Sequence, residues 1–74
     1  MARMGLAAIV GENVQRLRLD RSLTQEDLAH LAEISVRFLS GIEHGRENIT
    51  LSVLERVSSA LGVSPGDLLA ARQS

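Results

Sequence analysis

Apolar residues recur at helical spacing in five stretches separated by short polar breaks. Val10, Val14 and Leu17, extended by Leu6 and Ile9, predict a first helix over 7–21. Thr24 is an N-cap residue with Asp27 three positions on, so a second helix starts at Gln25. Leu28, Leu31 and Ala32 should form its buried face, with Ala29 letting a neighbour approach. Ser35 caps a third helix over 36–44, in which Leu39, Ile42 and Glu43 share one side. Val36, Arg37, Phe38, Ser40, Gly41 and His44 are left for its other sides. Gly45 closes that helix, and Gly45-Arg46-Glu47-Asn48 reads as a loop. Thr50 caps a fourth helix carrying Val53, Leu54, Val57, Ala60 and Leu61 up to a stop at Gly62. Ser64-Pro65 opens a short fifth through Leu68 and Leu69. The expectation is one all-α, compact five-helix domain over 1–74, with residues 1–5 and 71–74 flexible.

The second and third helices are too short to be stable alone. They must be held together, with an outer face offered to something. Residues 25–44 make a 20-residue unit that resembles the helix-turn-helix of the Cro and phage-repressor (XRE-like) family. The resemblance rests on Thr24-Gln25-Glu26, Leu28-Ala29, Ile34-Ser35, Leu39-Ser40, Ile42-Glu43 and Gly45. It continues through Leu51, Leu54, Ala60-Leu61-Gly62-Val63 and Leu68. It implies a lambda-repressor-like fold and a sequence-specific, double-stranded DNA-binding transcription regulator. Arg37-Phe38-Leu39-Ser40-Gly41-Ile42-Glu43 followed by Asn48 is also similar to the controller proteins of restriction-modification systems, which implies autoregulation. Two positions depart from the family, which favours Gly where this chain has Ser22 and Glu33. A left-handed Ser22 would cost about 1 kcal/mol, so the turn over 21–23 is expected to take another form. Glu33 can hold a positive φ at a similar cost.

Charge argues against this reading at first, because 8 Arg against 9 acidic residues give a net charge of −1 rather than a basic footprint. Distribution supplies what the total does not. Glu12, Glu26, Asp27, Glu33, Glu55 and Asp67 lie outside the third helix and its loop, whereas Arg37, His44, Arg46 and Asn48 lie in or just beyond it. Every cation is Arg, which reflects either coding composition or the use of bidentate contacts. One aromatic residue, Phe38, excludes a stacking platform for single strands. With no Cys there is neither a disulfide nor a thiolate metal site. No apolar run is long enough to cross a membrane, and Gly5 to Val10 is too short for a signal core and merges into the first helix. A cytoplasmic protein without a separate sensor domain, cofactor or small-molecule ligand is expected. Glu26, His30 and Glu33 share a helix face at metal-ligand spacing, but an exposed polar face accounts for them. There is no nucleophile-base pair or phosphate loop, so an enzyme is not expected. The rival reading is a helix-turn-helix module for protein interaction, such as an antitoxin partner.

The resemblance places base-reading positions at Val36, Arg37 and Gly41, with Phe38 and Ser40 beside them. Arg37 suits guanine, whose O6 and N7 match its planar fork. Val36 meets a thymine methyl or is simply an exposed first-turn residue. Phe38 packs against the loop over 46–48 or lies along the DNA backbone. Gly41, costly in mid-helix, marks close approach to DNA or a tight helix crossing. Phosphate contacts are expected from Gln25 and the first amides of helix two, and from Ser35, His44, Arg46 and Asn48, with His44 adding a proton-dependent contact. Glu47 stands where controller-like proteins carry a basic base-reading residue. The resemblance also implies an ion pair between Arg18 and Glu43. A homodimer on two-fold-related half-sites is expected, joined through Val63, Leu68 and Leu69, unless both leucines close the monomer core.

Overall fold

The computed structural model describes residues 5–71; the remaining expected-flexible termini, 1–4 and 72–74, lie outside them. Five helices run α1 Leu6–Asp20, α2 Gln25–Ala32, α3 Val36–Glu43, α4 Leu51–Leu61 and α5 Pro65–Leu69, with no strand among the described residues. Gly5 is the extended N-cap of α1, and its carbonyl accepts from the Ile9 amide at 3.0 Å.

Hydroxyl caps fix where four of the helices begin. Thr24, Ser35, Thr50 and Ser64 each accept a hydrogen bond from the amide three residues on. At Thr24 and Ser64 the box is reciprocal, with the carboxylates of Asp27 and Asp67 accepting from the cap amides at 2.9 and 3.0 Å. The backbone amide of Thr24, then its hydroxyl, holds the Asp27 carboxyl below its ordinary value.

One device ends α1 to α4. A left-handed residue stands one or two positions past each helix: Ser22 at φ 56°, Glu33 at 59°, Gly45 at 72° and Gly62 at 73°. The next amide in each case, that of Leu23, Ile34, Arg46 or Val63, reaches back to the carbonyl of Arg18, Ala29, Gly41 or Ser58 at 2.9 to 3.1 Å. Ser22 therefore corrects the expectation of another turn form. Leu23, Ile34 and Val63 pack against the core immediately after their left-handed residues, and that burial offsets the backbone cost at Ser22 and Glu33.

The core is built from Val10, Val14, Leu28, Ala29, Ala32, Leu39, Ile42, Leu54, Val57, Leu61 and Leu68. α1 packs on α3 and α5, while α2 packs on α4 and α3. The expected face of α2 is wrong in one member: Leu31 is 55% exposed, and Ala29 is buried in its place. The small Ala29 and Ala32 let α4 approach closely, which turns the buried stripe of α2 away from Leu31. Leu6, counted in the stripe of α1, is 58% exposed. Asn13 was missed altogether. It is buried, donates to the carbonyls of Leu68 and Ala70 at 2.9 and 2.8 Å, and so ties α1 to the end of α5. A lone amide on an otherwise apolar stripe is the signal that would have found it.

Candidate nucleic-acid interface

The third helix has one bolted side and one free side. On the bolted side Glu43, buried, accepts from Arg18 Nε at 2.6 Å and from its terminal nitrogen at 3.1 Å. This is a bidentate pair linking α1 to α3. Arg18 also donates to the carbonyl of Leu23 at 2.8 Å, and Gln25 Nε2 donates to Glu43 Oε1 at 3.0 Å. The Arg18–Glu43 pair thus gathers α1, α2, α3 and the turn after α1, which satisfies the polar groups that burial would otherwise leave costly. Beside it, Gly11 allows α1 to touch the end of α3. A Cβ at Gly11 would overlap the carbonyl oxygen of Ile42 and lie 2.9 Å from that of Glu43.

On the free side, Val36, Arg37 and His44 are exposed, with Ser40 half-buried between them. Ser35 uses a hydroxyl lone pair to accept from the Phe38 amide at 3.0 Å, which keeps its proton available for donation. His44 Nδ1 donates to the Ser40 carbonyl at 2.7 Å; the acceptor is a carbonyl, so Nδ1 carries the proton and Nε2 is left outward. Arg46 and Asn48 are exposed in the loop beyond.

Three of the expected contact residues have partners within the chain. Gln25 uses its side-chain amide on Glu43, and the Thr24 hydroxyl takes the Asp27 amide, leaving the backbone amides of Gln25 and Glu26 as the first-turn donors of α2. Phe38 is half-buried against the core, so packing accounts for the ring. Gly41 is buried under the following loop rather than by a crossing helix. The side chain of Glu47 folds over it, with Cγ and Oε2 each 2.8 Å from where a Cβ would stand. The expected dimer residues divide similarly. Leu68 is fully enclosed in the core and Val63 is half-buried against it, because Asn13 draws the end of α5 inward. Leu69 remains 40% exposed and shares an open hollow of about 270 Å³ with Leu6 and Leu51, the last 79% exposed. Among the described residues no set of three His, Cys, Asp or Glu could hold a metal, and no helix is long and apolar enough to cross a membrane.

Two short helices at a fixed angle, the second clamped behind and polar in front, describe a helix-turn-helix. A family model for the Cro/C1-type HTH DNA-binding domain matches residues 13–73. The chain belongs to the Cro/C1-type helix-turn-helix DNA-binding family. It is similar to the control protein C.BamHI of Bacillus amyloliquefaciens, 40% identical over 82% of this chain and 76% of that protein. Among solved structures it resembles the restriction-modification controller protein C.AhdI from Aeromonas hydrophila, with a TM-score of 0.81, 29% identity and coverage of 84% of this chain and 94% of that one. It resembles the hypothetical transcription factor NHTF from Neisseria as well, at TM-score 0.89 and 31% identity over 99% of this chain and 88% of the other. As a Cro/C1-type domain the chain is a DNA-binding transcription regulator. Its buried side of α3 supplies rigidity, and its free side carries the hydrogen-bonding groups.

Proposed function

We propose that the chain reads a two-fold-related operator as a homodimer, with α3 in the major groove, and regulates its own expression in the manner of a controller protein. The observation that carries this is the division of α3 into a side fixed by Arg18, Glu43 and Gly11 and a side offering Val36, Arg37, Ser40 and His44. A helix held this way loses little freedom on entering the groove, and the groove admits one helix. Arg37 reads guanine through O6 and N7, and Val36 packs on a neighbouring thymine methyl. Ser35, the first amides of α2, His44, Arg46 and Asn48 hold the phosphates on either side.

The dimer follows from charge and from exposed surface. At a net charge of −1, one domain gains little non-specific attraction to DNA, so two must act together. Leu6, Leu51 and Leu69 line one hollow, and three exposed leucines there form the apolar patch a second copy would cover. This surface replaces the one centred on Leu68. The names of the relatives, control and controller proteins, support a regulatory role; a cytoplasmic protein whose concentration is its signal suits that role. Selection from a random duplex library tests the whole reading. An inverted repeat with half-site centres about 34 Å apart is expected; enrichment of no motif, or of a lone half-site, counts against it.

A further inference from the structure

We infer that Glu47 is a second base-reading residue, its carboxylate seated on Gly41 at the edge of α3 and accepting the exocyclic amine of a cytosine. The inference rests on the proposed docking of α3 in the major groove. Gly41 lies one turn beyond Arg37 on the same side of α3, which makes it a natural reading position with no side chain of its own. Glu47 supplies the missing side chain from the following loop. Its Cγ and Oε2 each stand 2.8 Å from the place of a Cβ on residue 41, and its Cδ 3.3 Å away. Any residue larger than glycine at 41 would displace it. The side chain stays half-exposed, and the ion pair among the described residues is Arg18 with Glu43, so no Arg or His there neutralises Glu47.

The chemistry of an ionised carboxylate then selects its partner. It accepts hydrogen bonds and donates none. Phosphates, the O6 and N7 of guanine and the O4 of thymine are all acceptors and repel it. Adenine offers an amine with the N7 acceptor beside it, whereas cytosine offers an amine with no N7 at its side. Four residues of helix advance about 6 Å along the axis, and base pairs are spaced about 3.4 Å. The cytosine therefore falls one or two base pairs from the guanine read by Arg37. A carboxylate near so many acceptors acts mainly by excluding the wrong bases, and it contributes more to discrimination than to affinity.

Library selection with wild type, Glu47→Gln, Glu47→Ala, Gly41→Ala and the double variant Gly41→Ala/Glu47→Ala tests this, with thermal unfolding of each protein alongside. Wild type should enrich cytosine at that position of each half-site, and the two Glu47 variants should lose the preference by about tenfold while keeping the rest of the motif. Gly41→Ala should fold, because what its methyl displaces is the end of a flexible side chain. It should lose the same preference, and add nothing once Glu47 is Ala. A wild-type motif that persists unchanged in Glu47→Ala overturns the inference alone, as does a loss of affinity for all sequences alike. Failure of wild type to enrich any motif overturns it together with the groove docking.

Discussion

Gly11 and Gly41 are both mid-helix glycines, both buried, and both touched closely by another part of the chain. They differ in what touches them. Gly11 faces the carbonyl oxygens of Ile42 and Glu43, main-chain atoms of a helix end that cannot give way without moving α3. Gly41 faces the side-chain end of Glu47, which can rotate aside. The first contact fixes where α3 lies; the second decides what the free face of α3 carries. The same chemical economy, a missing Cβ, serves the fold in one place and the surface in the other.

Substitutions on the two sides of α3 can break this comparison. The largest effect is expected from Glu43→Ala, which leaves Arg18 buried without its partner and should cost about 3 to 5 kcal/mol. A domain of this size has only about 3 to 5 kcal/mol in hand, so urea titration should find the variant largely unfolded in water. A loss within about 0.5 kcal/mol, the scale of a surface change, would show that the bolted side is not bolted. Gly11→Ala should follow at about 1 to 3 kcal/mol, the usual cost of forcing extra volume into a packed contact. Gly41→Ala should change stability by no more than about 1 kcal/mol in either direction, helix propensity gained against Glu47 displaced. Equal losses from the two glycine variants, measured by the same denaturant titration, would erase the distinction.

The apolar surface offers a parallel test. Leu68→Ala removes a fully enclosed side chain and should destabilise the monomer by about 2 to 5 kcal/mol. Leu69→Glu, at an exposed position, should leave the monomer folded and shift sedimentation toward the monomer, with weaker operator binding. Sedimentation identical to wild type would exclude the surface around Leu6, Leu51 and Leu69 as the dimer contact.

The smallest effect concerns the first turn of α2. The Thr24 amide, and then its hydroxyl, lowers the pKa of Asp27 in the folded protein. A depressed carboxylate stabilises the fold at pH above its unfolded value, and that contribution is lost as pH falls through the lower folded value. Asp27→Asn should therefore be slightly less stable than wild type at neutral pH, with the difference closing in acid. A gap that widens as pH falls would reverse the sign of the capping argument.

Helix bounds were legible because Thr24, Ser35, Thr50 and Ser64 cap by a local rule that needs no knowledge of the fold. The direction each helix faces was less so. Periodicity put Leu31 and Leu6 among the buried residues, since spacing defines a stripe but not which neighbour covers it; the small Ala29 and Ala32 set the contact with α4. The left-handed turn at Ser22 is hidden from local reasoning because its backbone cost is offset by the burial of Leu23 that follows it. The exposed side of α3 was visible from Val36, Arg37 and His44, whereas the fold of Glu47 over Gly41 was not, since a loop residue folding back onto a helix leaves no periodic trace. Leu68 and Leu69 are adjacent and chemically alike, and only the hold of Asn13 on the end of α5 tells the enclosed one from the exposed one.

The proposed operator recognition depends on the free side of α3 reading bases. The most direct measurement is binding of wild type, Arg37→Ala and Arg46→Ala to the selected operator and to its single-base variants across a range of salt. Arg37→Ala should lose about 1 to 3 kcal/mol on the intact operator and become indifferent to one base pair per half-site. Arg46→Ala should weaken every duplex alike and reduce the salt slope by about one unit per domain. If Arg37→Ala instead weakens all duplexes equally and stays as sensitive to every base pair as wild type, α3 is not the reading helix.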